Sequence, residues 1–427
     1  MKSRTIVMSM LAALCLSACS SNNDDWLTGI PPENPEQSET RHSYTPVELN
    51  ETQQAINAKL QEFSWKLFKE VYVNRNEGTN LMISPISLAV DLGMFINGLE
   101  GETLQEVLKT MGLESFTKEQ INDYFKTMMK GIESADEAAV FRSANSFWYN
   151  KNKTANKDFL SVIQTGYDAK TEAVDFSDSK TKDIINAWCA EQTENRIKKM
   201  VEETSEADFF HLMNAVYFKA QWQLQFVKSV TTKQPFHYAN GSTADVDLMH
   251  TKITTSYAET DKFQQCVEPF VDNAFQMVFI LPKEGVKMED AIPEALDCLL
   301  SATAEVYPGK PEVKVVDLYV PKFTSEYTES KLFAYMKNIN PSLCFKAGEL
   351  KFFDDPVNDD SVLSALQKTF ILVDETGAEA AAVTDIYHLG DSGIKYETVE
   401  MRLDRPFFYA IVESNTQCPL FIGYYGN

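Results

Sequence analysis

The sequence predicts a mixed α+β protein, and three features carry that prediction. Apolar residues recur at helical spacing where the folded part begins, at Ile56, Leu60, Phe63, Leu67 and Val71. The run from Leu212 to Trp222 is apolar on both parities, as a strand covered on both faces must be. Near the C-terminus a stretch of small residues, 374–384, precedes two apolar strands that close the chain.

The chain has 427 residues, of which 44% are hydrophobic and 11% aromatic, enough for a sizeable core. Its 39 basic and 62 acidic residues leave a net charge of −23, which argues against nucleic acid or an anionic membrane surface as partner. Lys2 and Arg4 precede an apolar run, Ile6 to Leu16, that is too short to span a bilayer. The run ends in Leu16-Ser17-Ala18-Cys19, which resembles a bacterial lipobox. Residues 1–18 are therefore expected to be a signal peptide, with Cys19 lipidated; the alternative is an ordinary signal peptide cut after Ala18. Residues 19–48, with Pro31, Pro32, Pro35 and Pro46 among polar residues, read as a flexible tether, and 49–427 as the folded domain. The implied location is the outer membrane or cell surface, facing periplasm or exterior, and Ser20 to Asp25 looks like a surface-export tag. Cys189, Cys266, Cys298, Cys344 and Cys418 are widely spaced and read as buried free thiols.

The elements follow in order. Residues 51–73 form an amphipathic helix. Ser84 caps a second helix that starts at Pro85 and buries Leu88, Leu92, Phe95 and Ile96. Val140 to Tyr149 and Val174 to Phe176 read as strands. Asn214 is an anomaly inside the two-sided strand, because a buried amide must find hydrogen-bond partners. Phe275 to Pro282, Phe407 to Glu413 and Pro419 to Tyr425 are further strands. In 374–384, Ala378, Ala380, Ala382 and Thr384 share one strand face, while Glu379, Ala381 and Val383 share the other. A segment that slides between two strands needs small residues on its buried face. Gly377 supplies a hinge.

Asp374-Glu375-Thr376-Gly377-Ala378-Glu379-Ala380-Ala381-Ala382 resembles the hinge of the serpins, a family of serine and cysteine protease inhibitors. The resemblance extends through Asn80 to Ser87, Asn97 to Thr103, Ile185 to Ile197, Leu212 to Trp222, Glu268-Pro269-Phe270 and Tyr319 to Phe323, in the family's order. It implies the serpin fold: helices around three β-sheets, with a large central sheet and an exposed reactive loop. It also implies a monomer without cofactors or metal, which is not an enzyme but a suicide substrate of its target proteases. The proteases form a covalent acyl-enzyme complex, and the membrane is met only through the lipid anchor. The hinge would comprise Glu375, Gly377, Ala378, Glu379, Ala380, Ala381, Ala382, Val383 and Thr384. The region where the sheet opens would hold Ser84, Ser87, Asn214, Trp222 and Gln367. Three positions depart from the family pattern: Gln367 stands where histidine is usual, Asn195 where glycine is common, and Ala378 where threonine or serine is commoner.

By the family's spacing, the bond cut by the protease lies fourteen residues after the hinge glycine, between Asp391 and Ser392. In a shifted register Leu389, Ile394, Lys395 or Tyr396 would serve. The alternative reading is a non-inhibitory serpin, a binding or scaffold protein with the same fold. Bulky or charged hinge residues would mark it, and Ala380, Ala381, Ala382 and Val383 are neither. Gly390-Asp391-Ser392-Gly393 resembles a protease nucleophile motif, but no histidine stands in the context that a serine–histidine–aspartate triad needs.

Overall fold

The computed structural model describes residues 44–76, 78–287, 290–291, 312–355, 367–378 and 396–427. The signal peptide, Cys19, nearly all of the tether and Cys298 lie outside the described residues.

Seven α-helices lie wholly within the described residues. Helix α1 (Glu51–Val73) opens with a reciprocal cap between Asn50 and Gln53. Helix α2 (Pro85–Phe95) starts at Ser84, whose side chain accepts from the Ser87 N–H. Every residue of α2 except Asp91 is buried, so it is a core helix, packed against strands of both sheets. Helices α3 (Gly101–Met111), α4 (Lys118–Glu133), α5 (Lys157–Tyr167), α6 (Thr181–Gln192) and α7 (Leu332–Ile339) follow. Asn195, just after α6, adopts φ 64°, the left-handed turn that permits either asparagine or glycine there.

Fifteen strands build two sheets among the described residues. The first has six strands. They are β10 (Phe323–Glu329), β11 (Gln367–Val373), β12 (Gly377–Ala378), β4 (Phe210–Gln221), β2 (Val140–Asn150) and β3 (Lys170–Val174), in that spatial order. The second has nine. Along it run β1 (Leu81–Ile83), β15 (Pro419–Tyr425), β14 (Phe407–Glu413), β8 (Phe275–Pro282), β7 (Phe263–Pro269), β6 (Thr243–Glu259), β9 (Glu312–Pro321) and β13 (Thr398–Arg402), with β5 (Thr232–His237) paired to β6. The third sheet expected from the sequence is thus continuous with the second. Strand β6, 17 residues long, pairs with β5 and β9 along its length and with β7 at its end, fusing the two.

Strand β4 explains its own two-sided pattern. Val216, Phe218 and Ala220 face the main core, while Met213 and Ala215 face Trp188, Ile185 and Cys189 of α6 on the outer side. Strand β3 ends at Val174, earlier than expected, because Asp175 turns the chain by accepting from the Ser177 N–H. Cys189, Cys266 and Cys418 are buried free thiols; Cys344 is only half-buried, a correction to the expectation that all were buried.

In β15, a Cβ on Gly423 would stand 2.1 Å from the ring of Tyr409, its buried cross-strand partner. Gly423→Ala should therefore cost about 1–3 kcal/mol in urea unfolding by overpacking. An unchanged midpoint would refute this.

Candidate functional site

The site forms where the chain leaves β11. Asp374 ends that strand and starts a tight turn: its carboxylate accepts from the Thr376 N–H at 2.8 Å and from the Thr376 hydroxyl at 2.5 Å. Gly377 and Ala378 then pair with both neighbours. Gly377 lies opposite Gln221 and Ala378 opposite Ala220 on β4, while Ala378 also lies opposite Val373 on β11. Both ladders are antiparallel. Among the described residues β11 and β4 share no ladder of their own, so β12 alone joins them. A Cβ on Gly377 would lie 2.1 Å from the Ala220 carbonyl oxygen, a backbone atom. Only glycine allows that approach.

Trp222 anchors the turn. Its indole N–H donates to the Asp374 carbonyl at 2.9 Å and its backbone N–H to the Thr376 carbonyl at 2.9 Å. Its ring, 1% exposed, stacks on Phe270 at 4.6 Å and 8°. The Phe226 N–H donates to the Glu375 carbonyl at 2.9 Å.

Glu375 is a buried side chain held by a cation. Its carboxylate lies 2.8 Å from the Lys322 ammonium and accepts from the Thr231 hydroxyl at 3.0 Å. Burial pushes the carboxyl up, but the Lys322 ammonium, its own backbone N–H and Thr231 outweigh this and hold it below the ordinary 4.5. The same bond holds the Lys322 ammonium above its usual range. Lys322 and Thr231 are functional residues that reading the sequence missed. Lys322 lies within a recognised block, but nothing in the sequence pairs it with a residue 53 positions away (375 − 322).

Lower between the same strands lies a polar cluster in two halves. On the β11 side, Gln367 accepts from the Ser84 N–H and donates to the Ser84 carbonyl, both at 2.8 Å. The Ser84 hydroxyl donates to the Leu420 carbonyl, and Ser87 is buried beside it. On the β4 side, the Asn214 amide donates to the Ser143 hydroxyl at 2.6 Å and to Asn145 Oδ1 at 2.5 Å. Asn145 in turn donates to the Tyr167 carbonyl at 2.7 Å, at the end of α5. Asn214 Oδ1 is buried without a partner. The resemblance put Ser84, Ser87, Asn214 and Gln367 in one region. Here Gln367 spends both ends of its amide on the Ser84 backbone and makes no bond to Asn214.

The structure thus brings Ser84, Ser87, Asn214, Trp222, Gln367, Glu375, Gly377 and Ala378 to one seam. Glu379, Ala380, Ala381, Ala382, Val383, Thr384, Leu389, Asp391, Ser392, Ile394 and Lys395 lie outside the described residues. Tyr396 is exposed. The three described histidines bond to Asp208, Thr243 and Asp317, and no cluster of metal-binding side chains occurs among the described residues.

Residues 58–427 match the profile of the family described as Serpin (serine protease inhibitor). The chain belongs to the serpin family. A serpin-like protein of the archaeon Thermococcus kodakarensis is 27% identical over 435 aligned residues, 98% of each chain. Alaserpin of Manduca sexta is 29% identical, covering 84% of this chain and 91% of its own. Among solved structures, the thermophilic serpin tengpin in its native state superposes with a TM-score of 0.76 at 28% identity, covering 90% of this chain and 97% of its own.

Glu375 couples the turn after β11 to pH. Because the native carboxyl sits below its ordinary value, its contribution is complete above about pH 4.5 and is lost as pH falls through the native value. Glu375→Gln should lower unfolding stability at neutral pH by roughly 1–3 kcal/mol, moderated by the exposure of Lys322, and should flatten the acid limb of the stability curve. An acid limb identical to that of the parent protein would count against the latch.

Proposed function

We propose that this serpin inhibits serine endopeptidases, with cysteine endopeptidases as the alternative targets, as a suicide substrate. The carrying observation is that Gly377 and Ala378 already sit, as β12, between two strands that share no ladder of their own among the described residues. After a protease cuts the loop and forms an acyl-enzyme, the freed segment extends β12 down the seam and carries the protease with it. An extended strand rises about 3.3 Å per residue, so fifteen residues reach roughly 50 Å.

The register says where each residue would go. Ala378 lies opposite Ala220 and Val373. Six residues further along, the same register brings Thr384 opposite Asn214 and Gln367, six residues back on each neighbour. Ala378 faces the core, so Ala380, Ala382 and Thr384 would face it too. Small side chains suit the upper positions. At the lowest one, the Thr384 hydroxyl would meet the unpartnered Asn214 Oδ1. Insertion thus supplies the bond that the native form lacks, which supports insertion as the favoured end state. The bond cut is proposed as Asp391–Ser392, with Leu389, Ile394, Lys395 or Tyr396 serving in a shifted register. We further propose that the protein is exported and anchored through Cys19.

Incubation with a panel of serine and cysteine proteases tests the reading directly. A complex that survives denaturing electrophoresis, with release of a peptide ending at Asn427, is the expected outcome; the peptide's first residue identifies the bond. Cleavage without any complex would favour a binding or scaffold serpin instead. Ala380→Arg should convert the inhibitor into a plain substrate, because a charged side chain cannot enter the core face; an undiminished complex would refute this. Thr384→Val should leave Asn214 Oδ1 unsatisfied after insertion and reduce the stability of the cut form by about 1–3 kcal/mol. Equal thermal stability of the two cut forms would rule out that contact.

A further inference from the structure

Strand β7 carries Glu268, which has no exposed surface and whose two carboxylate oxygens both lack a hydrogen-bond partner. Ionised, such a group would be a bare charge in a dry core; a proton removes that cost. Alternation along β7 puts Glu268 on the same face as Cys266 and Phe270, all without exposed surface. Phe270 stacks on Trp222, the residue that binds the Asp374 and Thr376 carbonyls. The carboxyl therefore lies in the core that closes under the hinge.

The surroundings offer it no counter-charge. Across the ladder, β8 presents Met277. Strand β4 presents Phe218 and leads into Trp222, and both rings pack on Phe270. The Cys266 thiol, on the same strand, is itself pushed up by burial and by Glu268. Further along the sheet, Glu413 of β14 lies opposite Phe275, and its carboxylate is occupied by Tyr44, Asn415 and Thr416. No cation among the described residues acts on Glu268.

We propose that Glu268 is a proton-linked switch beneath the hinge: the native fold holds it protonated, and loss of that proton favours opening of the seam. The proton passes to solvent and the carboxylate remains, so nothing else is consumed. Burial places the carboxyl well above its ordinary 4.5, in agreement with this. The direction of linkage is fixed. Above about pH 4.5 the unfolded chain has released this proton and the native form has not, so native stability falls as pH rises, by up to about tenfold in the equilibrium constant per pH unit, until the native group also ionises. This is opposite in sign to the Glu375 latch.

The full-length protein tests it without any protease, so the outcome does not depend on whether the chain inhibits one. Infrared difference spectra at neutral pH should show a protonated-carboxyl band in the parent protein that Glu268→Gln removes. Urea unfolding between about pH 5 and 8 should show stability falling more steeply with pH in the parent than in the variant. Amide exchange at Trp222 and Phe226, whose N–H groups bind hinge carbonyls, should accelerate with pH more in the parent than in the variant. Absence of the band, parallel stability profiles, or a constant ratio of exchange rates would each overturn the proposal. Should Glu268→Gln fail to fold, Glu268→Leu, which removes the buried polar group altogether, replaces it in all three comparisons.

Discussion

The pairing of Gly377 and Ala378 between β11 and β4 is the constraint on which the rest of the molecule depends. Two backbone residues hold together strands that otherwise share no ladder among the described residues. The approach is so close that any Cβ at Gly377 would strike the Ala220 carbonyl. Around those two residues the protein concentrates its specific interactions. Trp222 grips the turn by two hydrogen bonds and a stack, Asp374 fixes its shape, and Glu375 ties it to Lys322 and Thr231. Each contact alone is worth little against the entropy of ordering a loop. Together they determine which conformation the segment takes on leaving β11.

The seam below has the opposite character. Its hydrogen bonds are made within each side, Gln367 with Ser84 on one and the Asn214 amide with Ser143 and Asn145 on the other, and Asn214 Oδ1 is left without a partner. Hydrogen bonds that do not cross a boundary do not resist its separation. Gln367 departs from the family's usual histidine, and here its amide is fully used on one backbone residue. A neutral amide keeps that half of the cluster independent of pH, whereas histidine titrates near neutrality. Acid and base sensitivity then rest on carboxyls, at Glu375 and Glu268, with opposite signs.

Buried charge is handled in two ways near this site. Glu375 is kept ionised by a lysine that remains partly solvated, which limits the desolvation cost of the pair. Glu268 has neither cation nor donor, and the apolar rings around it leave protonation as the inexpensive state. Trp222 binds the carbonyls on either side of Glu375 and stacks on Phe270, two residues after Glu268.

The sequence by itself determined the elements whose patterns are local. Helix α1, the Ser84 cap of α2, the two-sided strand β4 and the closing strands β14 and β15 were legible because periodicity and capping act within a few residues. The tight turn at Gly377 was legible too, since a glycine that must admit a close backbone approach is a local signal. Only the tertiary structure decided what those pieces meet. Lys322, between β9 and β10, and Thr231, just before β5, join Glu375 from far along the chain, Asn145 and Ser143 accept from the Asn214 amide across a ladder, and Gln367 turns to Ser84. The fusion of two expected sheets through β6 was hidden for the same reason. Ion pairs, amide orientation and sheet continuity depend on which strands become neighbours, and pairings far apart in sequence leave no periodic trace in either partner.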